Sequence, residues 1–256
     1  MSSGRALSRK FARVFDSPSS SNESESETGD SDAPATDAFE NLTIRIDIAR
    51  QILELRSGGG RLTELYALDS RVILFRVLRN LWLGNEKSRP LLALFLALAR
   101  DPILRTTATV VIRTDHGNEL ARSSMKESLA VAVGDRLNEA TLDKAVRYVS
   151  SSWTQSGHLQ GRGRKVRRRI EPTPAATMFA LLLGFAVGRR GRLLFETPWT
   201  AILDSSLDNL IDMAADAKRL GLLDLKQSGM VIDVSFPGLF TDKERELIHG
   251  THRQIG

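Results

Sequence analysis

Six basic residues fall within eight positions, Arg162, Arg164, Lys165, Arg167, Arg168 and Arg169, with no acid among them. Cations at that density suit one chemistry above others, the neutralisation of a row of phosphates. Arg189, Arg190 and Arg192 follow, so residues 162–192 hold nine basic side chains against one acid, Glu171. Lys226 adds a cation in an expected hairpin further on. These ten residues are the candidate nucleic-acid contacts, sequence-independent and salt-sensitive. A solvated linker between domains is the alternative for the tract, and Gly161 and Gly163 suit either reading.

Other reactive residue types are scattered. The chain has no Gly-x-x-x-x-Gly-Lys-Ser/Thr, no Gly-x-Ser-x-Gly and no His-Glu-x-x-His. Its four histidines are His116, His158, His249 and His252. The last two are spaced like a metal pair, but no third ligand accompanies them in that polar stretch. Asp115-His116-Gly117-Asn118 reads as an ordinary turn rather than an acid–base pair. His158 is expected to fix the junction before the arginine tract, or to contact a phosphate when charged. Trp153 is expected to anchor the core at a domain boundary, with base stacking the minority reading. The expectation is a non-enzyme with no cofactor and no metal site.

Composition narrows the class. With 256 residues and 41% hydrophobic residues, the chain has enough material for one or two domains with a real core. The absence of cysteine excludes a disulfide scaffold and a thiolate metal site. The longest apolar runs, Leu91–Ala99 and Ala175–Gly188, fall short of the ~18–20 residues that a bilayer span needs. No apolar stretch follows the basic residues near the N-terminus, so a secretory signal is not expected, and the cytoplasm is the default location. The net charge of +5 is uneven: residues 1–40 carry −4 and residues 41–256 carry +9. A basic body suits polyanionic partners.

The elements that must position the cations are mostly helical. Residues 1–40, rich in Ser, Glu and Asp, read as a disordered leader dispensable for the fold. Residues 42–55 alternate like a strand yet fit a helix equally well; a helix ending at Gly58-Gly59-Gly60 is favoured. Val72, Leu74, Phe75, Leu78, Leu81 and Trp82 give one apolar helical face. The apolar run from Leu91 to Arg100 should lie at the centre of its domain, and Asp101-Pro102 should cap a new start. A switch to strand over residues 107–112 is open. Helices are then expected over about Ser124–Val133 and Asn138–Ser150. On this reading, residues 41–152 form a helical domain and residues 153–172 a basic junction.

From Thr173 the signals follow a recognisable order. Thr173-Pro174 and Thr197-Pro198 are both N-cap-plus-proline helix starts. Between them, Leu193-Leu194-Phe195 suits a three-residue strand. Asp204-Ser205-Ser206 caps a helix with an expected buried stripe of Leu207, Leu210, Ile211, Ala214 and Ala215, ended by Gly221. Strands over Leu222–Leu225 and Met230–Val234 flank a Gln227-Ser228-Gly229 turn. Helix, short strand, short helix, helix, strand, turn, strand is the order of a winged helix-turn-helix, here over residues 173–240 and followed by a C-terminal tail, 241–256. The fold class is therefore mainly α with a small β wing. Against DNA contact by its third helix stand Asp208, Asp212 and Asp216, a negative stripe at i, i+4 and i+8.

A helical N-terminal domain joined through Ser152-Trp153-Thr154 to a C-terminal winged helix resembles, in layout over residues 42–236, BrxA of the BREX phage-defence systems. That resemblance implies a DNA-binding accessory protein of bacterial defence, with duplex DNA and proteins of a defence complex as partners. The acidic third helix and the Ser/Glu leader depart from the expected pattern. A non-catalytic assembly adaptor, presenting the acidic helix to a basic protein, is the alternative function.

Overall fold

The computed structural model describes residues 72–242, apart from 135, 136 and 230. The expected leader, the helix over residues 42–58 and nearly all of the C-terminal tail lie outside the described residues. The described residues are mainly helical, with two small antiparallel sheets. No described helix is long and apolar enough to cross a membrane. The described residues divide into two compact units, 89–170 and the pair of segments 72–88 and 171–242.

The first unit opens with α2 (Arg89–Arg100), following α1 (Ile73–Trp82) of the other unit. Leu91 through Ala99 are all buried, as a helix apolar on every side requires. Asp101 then caps α3 (Pro102–Thr106), its carboxylate accepting from the Leu104 amide at 3.1 Å. Residues 107–112 do not switch to strand. The hydroxyls of Thr106, Thr107 and Thr114 donate to carbonyls three or four residues back, and α4 (Ala108–Arg113) buries Ala108 and Val111. Tertiary packing overrides the β preference of that run.

A two-residue strand, β1 (Glu119–Leu120), leads into α5 (Arg122–Val133) and α6 (Glu139–Gln155). On α6, Leu142, Val146, Val149 and Trp153 recur at helical spacing and are buried. Trp153 donates its indole N–H to the Thr107 hydroxyl at 2.8 Å, so its polar edge is satisfied inside the core. The chain then forms a hairpin, β2 (Leu159–Gln160) and β3 (Lys165–Arg167), with β3 central in the order β1-β3-β2. Val166 faces Glu119 on one side and Gln160 on the other.

The expected division of the chain changes accordingly. Residues 153–170 are not a junction, because Trp153 closes the core of this unit and the arginine tract supplies its central strand. Residues 72–88, placed by sequence with the N-terminal domain, group with residues 171–242. There the Arg76 guanidinium donates to the Leu239 carbonyl at 3.1 Å, and the Ser88 and Thr173 hydroxyls meet at 2.7 Å.

The second unit centres on α7 (Pro174–Ala186), buried from Ala175 through Gly184 and capped by Thr173 as its sequence predicts. Gly184 sits where a Cβ would come within 3.1 Å of Thr197 and 3.3 Å of Leu194, so its missing side chain admits the next segment. That segment, Gly191–Glu196, is a 3-10 helix and not the expected strand. The carbonyls that a strand would offer to a neighbour are taken locally. Thr200 donates its hydroxyl to the Phe195 carbonyl at 2.9 Å, and Thr197 donates to that of Leu194 at 3.4 Å.

Thr197 and Thr200 also form a capping box for α8 (Pro198–Ala201). Next comes α9 (Leu207–Arg219), capped by Ser206. Its buried stripe is Leu210, Ala214 and Ala217, while Leu207, Ile211 and Ala215 are only half-buried. The helix is thus rolled toward Ala217 compared with the stripe expected from sequence. The unit ends in a hairpin, β4 (Asp224–Ser228) and β5 (Val231–Ser235), whose register pairs Ser228 with Val231.

Candidate nucleic-acid interface

The arginine tract folds as a short hairpin with a built turn. Gly161 holds φ at +112°, and a Cβ there would sit 2.1 Å from the Arg164 carbonyl oxygen. Only glycine fits that backbone. Lys165 ties the hairpin together: its ammonium donates to the Gly161 carbonyl at 2.7 Å and to the Thr154 hydroxyl of α6 at 3.0 Å. Burial lowers the pKa of Lys165 from its ordinary value.

The six cations of the tract separate into three roles. Arg167 is fully buried, with its Nε donating to the Val111 carbonyl at 2.9 Å and its Nη1 directed at the carbonyls of His158 and Arg168. It is an interior hub, and its place among the expected phosphate contacts is a correction. Period-two alternation is the reason, since a strand must turn one face inward and β3 turns Arg167 inward. Lys165 is half-buried and Arg164 is exposed but paired, its Nε donating to Glu119 at 2.7 Å. That hydrogen bond holds the Glu119 carboxyl below its ordinary pKa. Arg162, Arg168 and Arg169 are exposed. Among the described residues Arg162 and Arg168 have no ion-pair partner.

The helix beside the hairpin adds cations whose role was not read from sequence. Lys144, Arg147 and Ser151 recur on α6 at i, i+3 and i+7, on the side opposite Leu142, Val146, Val149 and Trp153, together with Ala140, Tyr148 and Gln155. The acids of the same helix are already matched. Asp143 meets Arg122 at 3.1 Å and Lys126 at 3.5 Å, and Glu139 also pairs with Lys126. Arg122 and Lys126 accordingly hold the Asp143 carboxyl below its ordinary pKa. Lys144 has no ionic partner among the described residues. The helix was expected from sequence, but nothing local shows that its acids are neutralised from α5.

No known protein family, curated protein or solved structure matches this chain.

The remaining expected contacts belong to the second unit. Arg189 is exposed, and Arg192 is paired with Glu196 at 3.1 Å. Arg190 lies over the Phe185 ring, 3.6 Å from its centroid, and donates to the Phe185 carbonyl at 2.7 Å. Burial lowers its pKa to about 10. Lys226 projects from β4 and is exposed. On α9, Asp208 and Asp212 are exposed, Asp216 pairs with Arg219, and Lys218 pairs with Asp224 at 3.2 Å.

The histidine expectations resolve unevenly. His158 is fully buried, its Nδ1 2.8 Å from the Ser156 hydroxyl and its ring edge-on to Trp153 at 5.0 Å. It fixes the start of the hairpin and is out of reach of a phosphate. Trp153, fully buried, is the core anchor and offers no face for base stacking. His249 and His252 lie outside the described residues. Among the described residues no group of three potential ligands gathers to hold a metal ion.

Proposed function

We propose that this chain binds duplex DNA, with the basic hairpin of residues 89–170 lying along the phosphate backbone. The observation that carries the reading is the hairpin itself. Arg162 is solvent-facing on its turn, which Lys165 anchors to α6, and Arg168 and Arg169 are solvent-facing just past β3 at its other end. The order helix, β1, α5, α6, β2, β3, with sheet order β1-β3-β2, supports treating this unit as a winged helix whose wing is the arginine hairpin. The second unit has a related order, with a 3-10 turn in place of the first strand. It is read as a second winged helix, at the position where the sequence alone suggested one.

Charge separates the two. Each solvent-facing cation that meets a phosphate releases condensed counterions, so the logarithm of affinity falls with the logarithm of salt. Replacing Arg162, Arg168 and Arg169 together with Ala should weaken binding to random duplex DNA alike for every sequence. It should also flatten the salt slope by about two to three units. A variant that binds as tightly as the parent at every salt concentration removes the clamp from the account.

A specific observation favours a second reading for α9. Asp208 and Asp212 are exposed and form no ion pair among the described residues, which suits a basic protein partner better than a phosphate. On that reading, changing both to Asn leaves DNA affinity unchanged. Together the two surfaces fit an accessory protein of the cytoplasm that joins DNA to a protein assembly. The layout likeness to BrxA supports placing that assembly in phage defence.

A further inference from the structure

We infer that the outward face of α6 reads base edges in the major groove, so that the protein prefers particular DNA sequences. This rests on the duplex-binding reading above and adds recognition to it. The hairpin arginines deliver charge, and phosphate contacts alone carry no sequence information. The face of α6 supplies what they lack. Lys144, Arg147 and Ser151 form a solvent-facing row, with Gln155 half-buried at its end, and no acid on the helix is left unmatched against them.

The chemistry of that row is a donor-rich reader. A guanidinium donates in a fork matching the O6 and N7 acceptors of guanine, a glutamine amide matches the N6 and N7 edge of adenine, and a hydroxyl serves either. Arg147 uses its Nε on the Asp143 carbonyl at 3.3 Å, which steadies the side chain. Its two terminal nitrogens have no partner among the described residues. Gln155 and Ser151 are already linked at 2.9 Å, an arrangement that orients the amide along the row.

The position of the row matters as much as its composition. At 17 residues α6 is about 25 Å long, and a major groove admits a helix of this width. Thr154, on one flank of the same helix, holds Lys165 where β3 leaves the hairpin turn. The arginine-bearing turn therefore lies beside the helix, where it can follow the backbone bordering the groove. Helix α9 of the second unit offers no comparable row, because Asp208 and Asp212 face solvent there.

Repeated binding and amplification of a random-sequence duplex pool by the full chain, at fixed salt, tests the proposal. The parent should enrich a short motif. Arg147→Ala should erase the preference at one guanine-containing position by about tenfold or more, with affinity for unselected DNA nearly kept. Arg168→Ala should weaken selected and unselected DNA by the same factor. Both changes are solvent-facing, and a melting curve for each checks that the fold is intact. If the parent binds random duplex but enriches nothing, base reading by α6 is overturned while the phosphate clamp stands. A motif unchanged by Arg147→Ala, Lys144→Ala and Ser151→Ala equally overturns the assignment to α6. Failure to bind any duplex at low salt overturns the DNA reading as a whole.

Discussion

Arg167 and Arg168 are neighbours in sequence with the same side chain, yet β3 sends the first inward and releases the second. In the interior, the Arg167 guanidinium binds the carbonyls of Val111 and His158, and Trp153 meets Thr107 and His158. Removing a buried charged donor strands the carbonyls it served and leaves a cavity. Arg167→Ala should therefore lower stability by about 3 kcal/mol, read by chemical denaturation. Arg168→Ala should change stability by less than about 0.5 kcal/mol and act on DNA affinity instead. Equal effects of the two on stability would contradict the placement of β3. At this scale the sequence named the tract but not its inner member. Six adjacent cations look alike until a strand period divides them.

At the scale of elements, capping chemistry was the most readable signal. Asp101, Asn138, Thr173, Thr197 and Ser206 all accept from the amide three residues on, each at a helix start. The failures have a common cause. Leu193-Leu194-Phe195 and residues 107–112 carry strand-like residues, but hydroxyls nearby took the backbone carbonyls and kept the chain coiled. Strands β1, β2 and β3 were missed because two or three residues give no period to detect. The hairpin turn they create depends on Gly161. Gly161→Ala should force the turn open, because the added Cβ meets the Arg164 carbonyl at 2.1 Å in a backbone that disfavours side chains. The expected outcome is DNA affinity reduced about as much as by removing hairpin arginines, with the α9 unit retaining its native hydrogen-exchange pattern. Unaltered DNA affinity would argue that the hairpin does not touch the duplex.

At the scale of the whole molecule, the exposed face of α6 carries Lys144 and Arg147, where that of α9 carries Asp208 and Asp212. From the sequence the cationic tract reads as a phosphate-binding junction between domains, with a solvated linker as the alternative. Long-range pairing of residues 119–120 with 165–166 is what places it inside the first unit, and nothing local announces such a pairing. Charge on α6 was similarly hidden, since Glu139 and Asp143 are cancelled only by residues of another helix. On the proposed reading, DNA meets α6 and the β2–β3 hairpin, and not α9. Hydrogen exchange of the full chain, with and without saturating random-sequence duplex, locates the contact. Slowed exchange confined to residues 139–169 is the predicted result; protection of residues 207–219 with none at 139–169 would contradict it.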